Sequence, residues 1–209
     1  EIARTGSERE YAGHVSGVED VRLLLLSAGE IPRELAEGRI HLGVTGMDLV
    51  REQIPGWERV VEELAPLGFG HADLVIAVPK AWVDVETPGD LDAAAAAFRA
   101  AHGYRLRIAT KYHRLVREYL RAEGVADYAL VDSQGATEGT VANGTAEAIA
   151  DITTSGETLR ANHLRPLGSP PILRSEATLF RSRRADWSGS ARAAFAGLAA
   201  RIGVEAGGD

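Results

Sequence analysis

The sequence predicts an α/β protein of two lobes, joined by two crossing strands, with a cleft between them. Apolar runs of strand length alternate with helical patterns, as where residues 40–44 precede a helix over 49–53. This strand–helix–strand rhythm is typical of mostly parallel sheets. Two breaks, at Pro79 and at Pro170-Pro171, set off one segment within the rest of the chain. The predicted lobes are therefore residues 1–78 together with 172–209, and residues 79–171.

The first half of the chain contains the signals of four strands and two helices. The apolar run 21–26 predicts a strand buried on both faces. A helix over 30–37 follows, with Pro32 in its first turn and Gly38 as its stop. Strands are expected over residues 40–44, 60–64 and 74–78, and the turn 45–48 opens the helix over 49–53.

The second half continues the pattern up to the C-terminal region. The alanine-rich residues 91–102 predict a helix that Gly103 stops. Five apolar or aromatic positions from Tyr112 to Leu120 recur at helical spacing and predict a single buried stripe. The remaining expected elements are strands over 106–109 and 128–131, an extended segment over 172–181, and a helix with an apolar stripe from Trp187 to Ile202.

Composition excludes several classes of function. The net charge of −7 disfavours a non-specific nucleic-acid surface, and the absence of cysteine excludes disulfides and thiolate metal sites. No apolar run approaches the roughly 18 residues of a membrane span. The absence of cysteine also fits a reducing compartment, so we expect a cytoplasmic protein that binds neither nucleic acid nor membrane.

The stretch from Glu138 to Leu159 organises the rest of the chain. It contains two glycine- and hydroxyl-rich segments of phosphate-binding size, 139–144 and 153–158, on either side of an apolar segment that carries Glu147 and Asp151. If a helix begins near Gly144, its N–H groups favour an anion there. Two ordinary surface turns that flank a buried element are an equally weighted interpretation.

Other chemistries lack their usual motifs. The sequence has no G-x-x-x-x-G-K-[ST] and no G-x-S-x-G, and its six histidines show no metal-ligand spacing. No nucleophile lies beside an obvious base. The sequence still offers loops of phosphate-binding size, together with cations and carboxylates at strand ends. These residues suit an enzyme that positions its substrates and neutralises their charge.

The spacing of the central stretch resembles the signature of the ATP phosphoribosyltransferases. It reads E-x5-G-x-A-x2-I-x-D-I-x2-S-G-x-T-L from Glu138 to Leu159. The segment 43–48 looks like the family's G-[IV]-x-G-x-D turn, and 107–112 looks like its R-[IV]-A-T-K-[YF] strand end. Residues 160–164 are similar to its R-A-N-G-L motif. The resemblance covers about residues 5 to 185 and implies two lobes of periplasmic-binding-protein-like (type II) architecture.

The resemblance also implies a reaction. N1 of the ATP adenine attacks C1 of the ribose of phosphoribosyl pyrophosphate, and Mg²⁺-bound pyrophosphate leaves, in the first step of histidine biosynthesis. Glu138 and Asp151 would accept hydrogen bonds from the ribose hydroxyls and balance the positive charge on the sugar. Lys111 and Arg9 would offset the charge of the phosphates. No general base is needed, because adenine N1 carries no proton.

The remaining site residues are implied substrate contacts. The segment 139–145 would cradle the ribose 5-phosphate, part of the segment 154–158 would complete the phosphate contacts, and the 45–48 turn would face ATP from the other lobe. These residues are Gly139, Thr140, Val141, Ala142, Asn143, Gly144, Thr145, Thr154, Ser155, Gly156 and Thr158 on the phosphoribosyl pyrophosphate side, and Thr45, Gly46 and Asp48 on the ATP side. No protein metal site is implied, because the substrate phosphates would hold most of the Mg²⁺.

Two departures from the family pattern stand out. The family's N-terminal strand and K-G-R motif are not found, so we expect about twenty residues to precede Glu1. Ser27 also replaces an arginine that many members carry.

The chain ends soon after residue 202, without the regulatory domain of long members, so it resembles the short form. Short forms act with a histidyl-tRNA-synthetase-like regulatory subunit, which implies a homodimer within a hetero-oligomer.

Two alternatives compete with this prediction. One is a non-catalytic solute- or effector-binding module with the same two-lobe fold. The other is a different phosphosugar-binding enzyme. Neither alternative requires both loops and both carboxylates in the register that the signature shows.

Overall fold

The computed structural model describes residues 21–133 and 135–204, together with the backbone of 2–4 and 12–15. It divides the chain into two compact units, Glu1–Phe69 with Glu176–Asp209, and Gly70–Ser175. The expected boundary after residue 78 falls inside a strand of the second unit, and the one after residue 171 falls just before another. Both strands stay with the second unit because they pair with its sheet.

The described residues of the first unit form two three-stranded antiparallel sheets and three α-helices. The sheets have the orders β1-β2-β3 and β4-β12-β5. The bounds of these elements are β1 Ile2–Arg4, β2 Ala12–Val15, β3 Arg22–Leu24, α1 Ile31–Ala36, β4 Leu42–Gly46, α2 Met47–Gln53, β5 Val61–Pro66, β12 Ala177–Ser182 and α7 Gly189–Ile202, with a 3-10 turn at Trp57–Arg59.

The core of the first unit lies beneath β4, β12 and β5. Its buried side chains are Leu35, Val50, Ile54, Val60, Val61 and Phe180. The predicted helix stop at Gly38 is confirmed, since this glycine has a φ of 73°. Gly43 allows close packing of α1 on β4, because a Cβ there would lie 2.6 Å from Ile31 Cγ2.

One strand prediction for the first unit is wrong. The run 21–26 contains only the short β3, which pairs antiparallel with β2 and leaves Leu24 exposed. A continuous apolar run looks the same in sequence whether the strand lies inside a sheet or at its edge. The strand therefore does not belong to a parallel sheet buried on both faces.

The second unit is a six-stranded mixed sheet with helices. The strand order is β10-β6-β9-β7-β8, and β11 also pairs with β6. The bounds are β6 Ala72–Pro79, α3 Pro88–His102, β7 Leu106–Thr110, α4 His113–Ala122, β8 Tyr128–Asp132, α5 Gly139–Ala142, β9 Ala148–Thr153, α6 Glu157–Ala161, β10 Leu164–Pro166 and β11 Leu173–Ser175.

The prediction of mostly parallel sheets is confirmed for three strands and wrong for the others. β9, β7 and β8 are parallel, because the helices α4 and α5 return the chain to the same edge between them. β6 is antiparallel to β9, β10 and β11. The partners of β6 come from distant parts of the chain, so the local alternation of elements carries no information about their direction.

Two helices of the second unit, α3 and α4, follow the predicted patterns. α3 begins with a capping box between Thr87 and Asp90 and ends at Gly103 with a φ of 79°. The predicted stripe of α4 is buried at Leu115, Val116 and Leu120. Within the described part of the chain, none of the helices combines the length and the apolar composition needed to span a lipid bilayer.

Candidate active site

The carboxyl ends of three parallel strands meet at one edge of the second unit's sheet. Thr110 of β7 stands level with Ala150 of β9 and with Asp132 of β8. Lys111 and Asp151 each lie one residue beyond this level, on strands about 4.8 Å apart. In α/β sheets this edge is where ligands bind, and Lys111 is exposed there.

A hollow of about 340 Å³ opens at this edge. Its lining brings together five of the predicted site residues, which are Glu138, Asp151, Thr154, Ser155 and Thr158. The rest of its lining is Ala72, Ile149, Ile152, Thr153, Glu157 and Leu159. Carboxylates and hydroxyls that converge on one concave surface suit a polar ligand rich in hydroxyl and phosphate groups.

The two predicted carboxylates are half-buried and firmly anchored by the backbone. Asp151 belongs to β9, which pairs with β6 on one side and β7 on the other, and its Oδ1 accepts from the Ile152 N–H at 2.8 Å. Glu138 immediately precedes α5. It follows Thr137, a fully buried residue whose Oγ1 accepts from the Ser133 hydroxyl at 2.9 Å.

The segment 153–158 is a compact turn that caps itself. Thr153 Oγ1 accepts from the Gly156 N–H at 2.9 Å, and Ser155 Oγ accepts from the Glu157 N–H at 3.3 Å. Gly156 has a φ of 70°, which favours glycine. Hydroxyls and backbone N–H groups of this turn thus lie together at the start of α6.

The segment 139–145 lies outside the lining of the hollow. Residues 139–142 form the short helix α5, so the condition for an anion site at Gly144, a helix that begins there, is not met. The helix instead ends there, and Gly144 has a φ of 67°. None of the residues from Gly139 to Thr145 lines the hollow. The Thr140 hydroxyl donates to the Thr137 carbonyl, and the Thr145 hydroxyl donates to the Thr140 carbonyl.

An ion pair holds the end of this segment at the opposite edge of the sheet. Arg107, near the amino end of β7, donates to the Gly144 carbonyl at 2.9 Å and pairs with Glu147 at 2.5 Å. Four residues of strand separate Arg107 from Lys111, or about 13 Å. The structure therefore does not bring Gly144 and Thr145 together with Asp151.

The contact between Arg107 and Glu147 shifts the pKa values of both side chains. Burial acts to raise the pKa of the Glu147 carboxyl, but side-chain and backbone hydrogen bonds from Arg107 outweigh it, so the pKa is lowered. The pKa of Arg107 is raised by the same hydrogen bonds. Both groups stay charged at neutral pH, and the pair ties the start of β9 to β7.

The predicted ATP-side residues of the first unit are partly enclosed. Thr45 is 3% exposed and its Oγ1 donates to the Ala28 carbonyl at 2.8 Å, and Asp48 is 6% exposed. Gly46 is the N-cap of α2. Thr45 thus ties the 45–48 turn to the turn at Ser27, whose hydroxyl donates to Glu30 at 2.7 Å.

Three residues near the hollow were not among the predicted site residues, and one predicted residue is not described. Thr153 and Glu157 line the hollow, and Arg160 lies against the same turn, since a Cβ at Gly156 would be 3.1 Å from Arg160 Nη1. The four-residue spacing of Gly156 and Arg160 on one helix is the signal that points to this contact. Arg9 lies outside the described residues.

The chain matches a protein-family model and many curated proteins. The model, described as HisG: ATP phosphoribosyltransferase, matches residues 27–203. An ATP phosphoribosyltransferase from Cereibacter sphaeroides is 72% identical over 203 residues, which are 97% of this chain and 86% of that protein. An ATP phosphoribosyltransferase from Rhodopseudomonas palustris is 50% identical over 190 residues, which are 91% of this chain but 58% of that protein.

Solved structures show what the fold resembles. A structure described as an ATP phosphoribosyl transferase (HisG:HisZ) complex from Thermotoga maritima has a TM-score of 0.71 at 20% identity, with coverage of 94% of this chain and 83% of that one. A putative L-cystine ABC transporter protein from Listeria monocytogenes has a TM-score of 0.52 at 12% identity, with coverage of 84% and 70%. These likenesses confirm the predicted two-lobe, periplasmic-binding-protein-like fold class.

Proposed function

The chain belongs to the ATP phosphoribosyltransferase family, and we propose that the hollow at the carboxyl edge of β9 is where it binds the ribose of phosphoribosyl pyrophosphate. The reaction joins N1 of ATP to C1 of that ribose and is the first step of histidine biosynthesis. The observation that carries the proposal is the convergence of Glu138, Asp151 and the 153–158 turn on one concave surface.

The two carboxylates act on the ribose. Glu138 and Asp151 accept hydrogen bonds from the 2- and 3-hydroxyls, which fixes the sugar ring. As the bond from C1 to pyrophosphate breaks, positive charge develops on the sugar, and fixed carboxylates stabilise it electrostatically. The adenine N1 lone pair forms the new bond, and the electrons of the broken bond leave with pyrophosphate. This step needs no general base, because adenine N1 carries no proton.

The 5-phosphate binds to the 153–158 turn. Thr154, Ser155 and Thr158 line the hollow. The Thr154 hydroxyl donates to the His71 carbonyl at 3.1 Å, so the donors proposed for phosphate oxygens are the Ser155 and Thr158 hydroxyls and the backbone N–H groups. This assignment departs from the sequence-based expectation that residues 139–145 cradle that phosphate, because those residues do not line the hollow. Glu138, the residue directly before that segment, does line the hollow.

The pyrophosphate lies toward Lys111, at the end of the neighbouring strand β7, with Arg9 as a further candidate cation. Among the described residues, no cluster of three His, Asp or Glu side chains is arranged to hold a metal ion. As part of the proposal, a Mg²⁺ ion has its main ligands on the pyrophosphate oxygens, as is usual for this ion. When bound it neutralises the leaving group, while Thr45, Gly46 and Asp48 form the ATP side.

The chain acts with a regulatory subunit. Its fold neighbour from Thermotoga maritima is described as a HisG:HisZ complex. We propose that two copies of this chain assemble with a histidyl-tRNA-synthetase-like subunit in the cytoplasm, and that this subunit confers feedback inhibition by histidine. Inhibition of the isolated chain at the histidine concentrations that inhibit the complex would contradict this.

Product analysis tests the proposed reaction. The full-length protein is incubated with ATP, phosphoribosyl pyrophosphate and Mg²⁺, with and without the regulatory subunit, and the products are identified by mass spectrometry. We expect phosphoribosyl-ATP and pyrophosphate in equal amounts. Ligand binding without product in either reaction would favour the non-catalytic binding module instead.

A further inference from the structure

Arg160 lies against the turn that begins α6. A Cβ on Gly156 would be 3.1 Å from Arg160 Nη1 and 4.0 Å from its Cζ, so the guanidinium occupies the space that the missing side chain leaves free. Residues four apart share one face of a helix, and helical side chains lean toward the N-terminus. The charged end of Arg160 therefore lies over the 153–158 turn, although its backbone belongs to the last turn of α6.

The hollow is lined by negative charges, so the position of the positively charged Arg160 matters for the binding of an anion. The lining includes three carboxylates, on Glu138, Asp151 and Glu157, and no lysine or arginine. A phosphate that enters such a surface is repelled unless a cation accompanies it. Within the described part of the chain, the Arg160 guanidinium has no carboxylate partner, so its donors are available to a ligand.

We propose that Arg160 is a phosphate-binding residue of this site and contacts the 5-phosphate of phosphoribosyl pyrophosphate. The inference rests on the proposed function and adds one residue to it. A guanidinium presents several N–H donors in a planar fork, which matches two oxygens of a phosphate. Gly156 contributes by leaving room for that group.

The order of the strands assigns Arg160 to the 5-phosphate rather than to the pyrophosphate. α6 leads from β9 toward β10 and packs on it, on the β6 side of the sheet. Lys111 follows β7, on the other side of β9. With the ribose held by Glu138 and Asp151, the two anionic ends of the substrate lie on opposite sides of the end of β9, and each has its own cation.

The test compares Arg160→Gln with Arg160→Lys and with a matched control, Arg121→Gln. Arg121 is also exposed and also lies in the last turn of a helix of the second unit. The loss of a charge-assisted hydrogen bond predicts an increase of about 10- to 100-fold in the KM for phosphoribosyl pyrophosphate in Arg160→Gln. The KM for ATP stays unchanged, Arg160→Lys recovers part of the loss, and Arg121→Gln behaves as the unsubstituted protein does.

Two competitive inhibitors identify the phosphate. Ribose 5-phosphate should inhibit Arg160→Gln more weakly by the same factor, whereas inhibition by pyrophosphate stays as in the unsubstituted protein. An unchanged KM for phosphoribosyl pyrophosphate in Arg160→Gln overturns the proposal, and so does a loss confined to inhibition by pyrophosphate.

Direct binding separates this inference from the proposed function. If the unsubstituted protein forms no phosphoribosyl-ATP, the proposed function fails, and calorimetric titration with ribose 5-phosphate still decides the role of Arg160. Weaker binding to Arg160→Gln than to Arg121→Gln supports the role. Equal binding to the two variants overturns it.

Discussion

The ion pair between Arg107 and Glu147 should be a main determinant of the stability of the second unit. Glu147 Oε1 lies 2.5 Å from Arg107 Nη2, and its Oε2 accepts from the Arg107 backbone N–H at 2.7 Å and from Nε at 3.1 Å. The side chains are 29% and 13% exposed for arginine and glutamate. Glu147→Gln removes the negative charge and turns an amide group toward the guanidinium.

The expected cost follows from this geometry. Hydrogen bonds to charged groups contribute about 1.5 to 3 kcal/mol, and the remaining arginine keeps a partly buried, uncompensated charge. Because Arg107 is partly exposed, we expect Glu147→Gln to lower the free energy of unfolding by about 2 to 3 kcal/mol. For a protein of this size, the melting temperature should fall by roughly 5 to 10 °C.

Thermal unfolding followed by circular dichroism measures this change. Glu118→Gln is the matched control, since it breaks a pair with Arg114 at 3.2 Å in which the glutamate side chain is 57% exposed. We expect the control to cost at most about 0.5 kcal/mol. Equal destabilisation by the two substitutions would refute the reasoning.

The pH dependence gives a second check on the same pair. The folded pKa of Glu147 lies below its ordinary value of 4.5. A carboxyl with a lowered folded pKa stabilises the fold above its unfolded pKa, and this contribution is lost as the pH falls through the folded pKa. The difference in stability between the unsubstituted protein and Glu147→Gln should therefore be constant at neutral pH and shrink below pH 4.5. A difference that persists unchanged in acid would contradict the assignment.

Three further predictions concern single substitutions. Glu138→Gln removes a charge that acts on the ribose, so kcat should fall by about 100-fold or more with an unchanged melting temperature, and unchanged turnover would remove Glu138 from the mechanism. Gly144→Ala should lower the free energy of unfolding by about 1 kcal/mol, because the φ of Gly144 is 67°. The KM for phosphoribosyl pyrophosphate should stay unchanged, and a large rise in that KM would indicate that the segment 139–145 binds the 5-phosphate. Gly43→Ala should destabilise the first unit by about 1 to 3 kcal/mol. The added Cβ would lie 2.6 Å from Ile31 Cγ2 and 3.1 Å from Leu35 Cδ1, and an unchanged melting temperature would contradict that packing.

Local signals predicted much of the fold. Gly38 and Gly103 end helices as their positions in the sequence suggest, and the stripe of α4 is buried as its spacing requires. These features depend on residues within one or two turns of each other. Strand direction depends on distant partners, which is why the antiparallel pairing of β6 and the exposed edge position of β3 were not predicted.

The site was predicted in part for the same reason. Glu138, Asp151 and the hydroxyls of the 153–158 turn follow from one contiguous signature, and the structure brings them together. Residues 139–145 belong to the same signature, but the contact of Gly144 with Arg107 requires two elements that are 37 residues apart. That contact draws the segment to the amino edge of the sheet, and no local pattern reveals it.

Buried hydrogen bonds also changed the interpretation of single residues. Thr45 looks like a ligand contact in the sequence, yet its hydroxyl already donates to Ala28. This hydrogen bond helps to hold the 45–48 turn in place, which is the role that we propose for Thr45. Sequence alone cannot separate a hydroxyl that contacts a ligand from one that fixes a turn, because the same residue types suit both tasks.

A crystal structure of the complex with phosphoribosyl pyrophosphate and Mg²⁺ tests the central claim most directly. The account predicts the ribose hydroxyls within hydrogen-bond distance of Glu138 and Asp151, and the 5-phosphate on the 153–158 turn. A 5-phosphate bound to residues 139–145, with the hollow beside Asp151 empty of substrate, would contradict it.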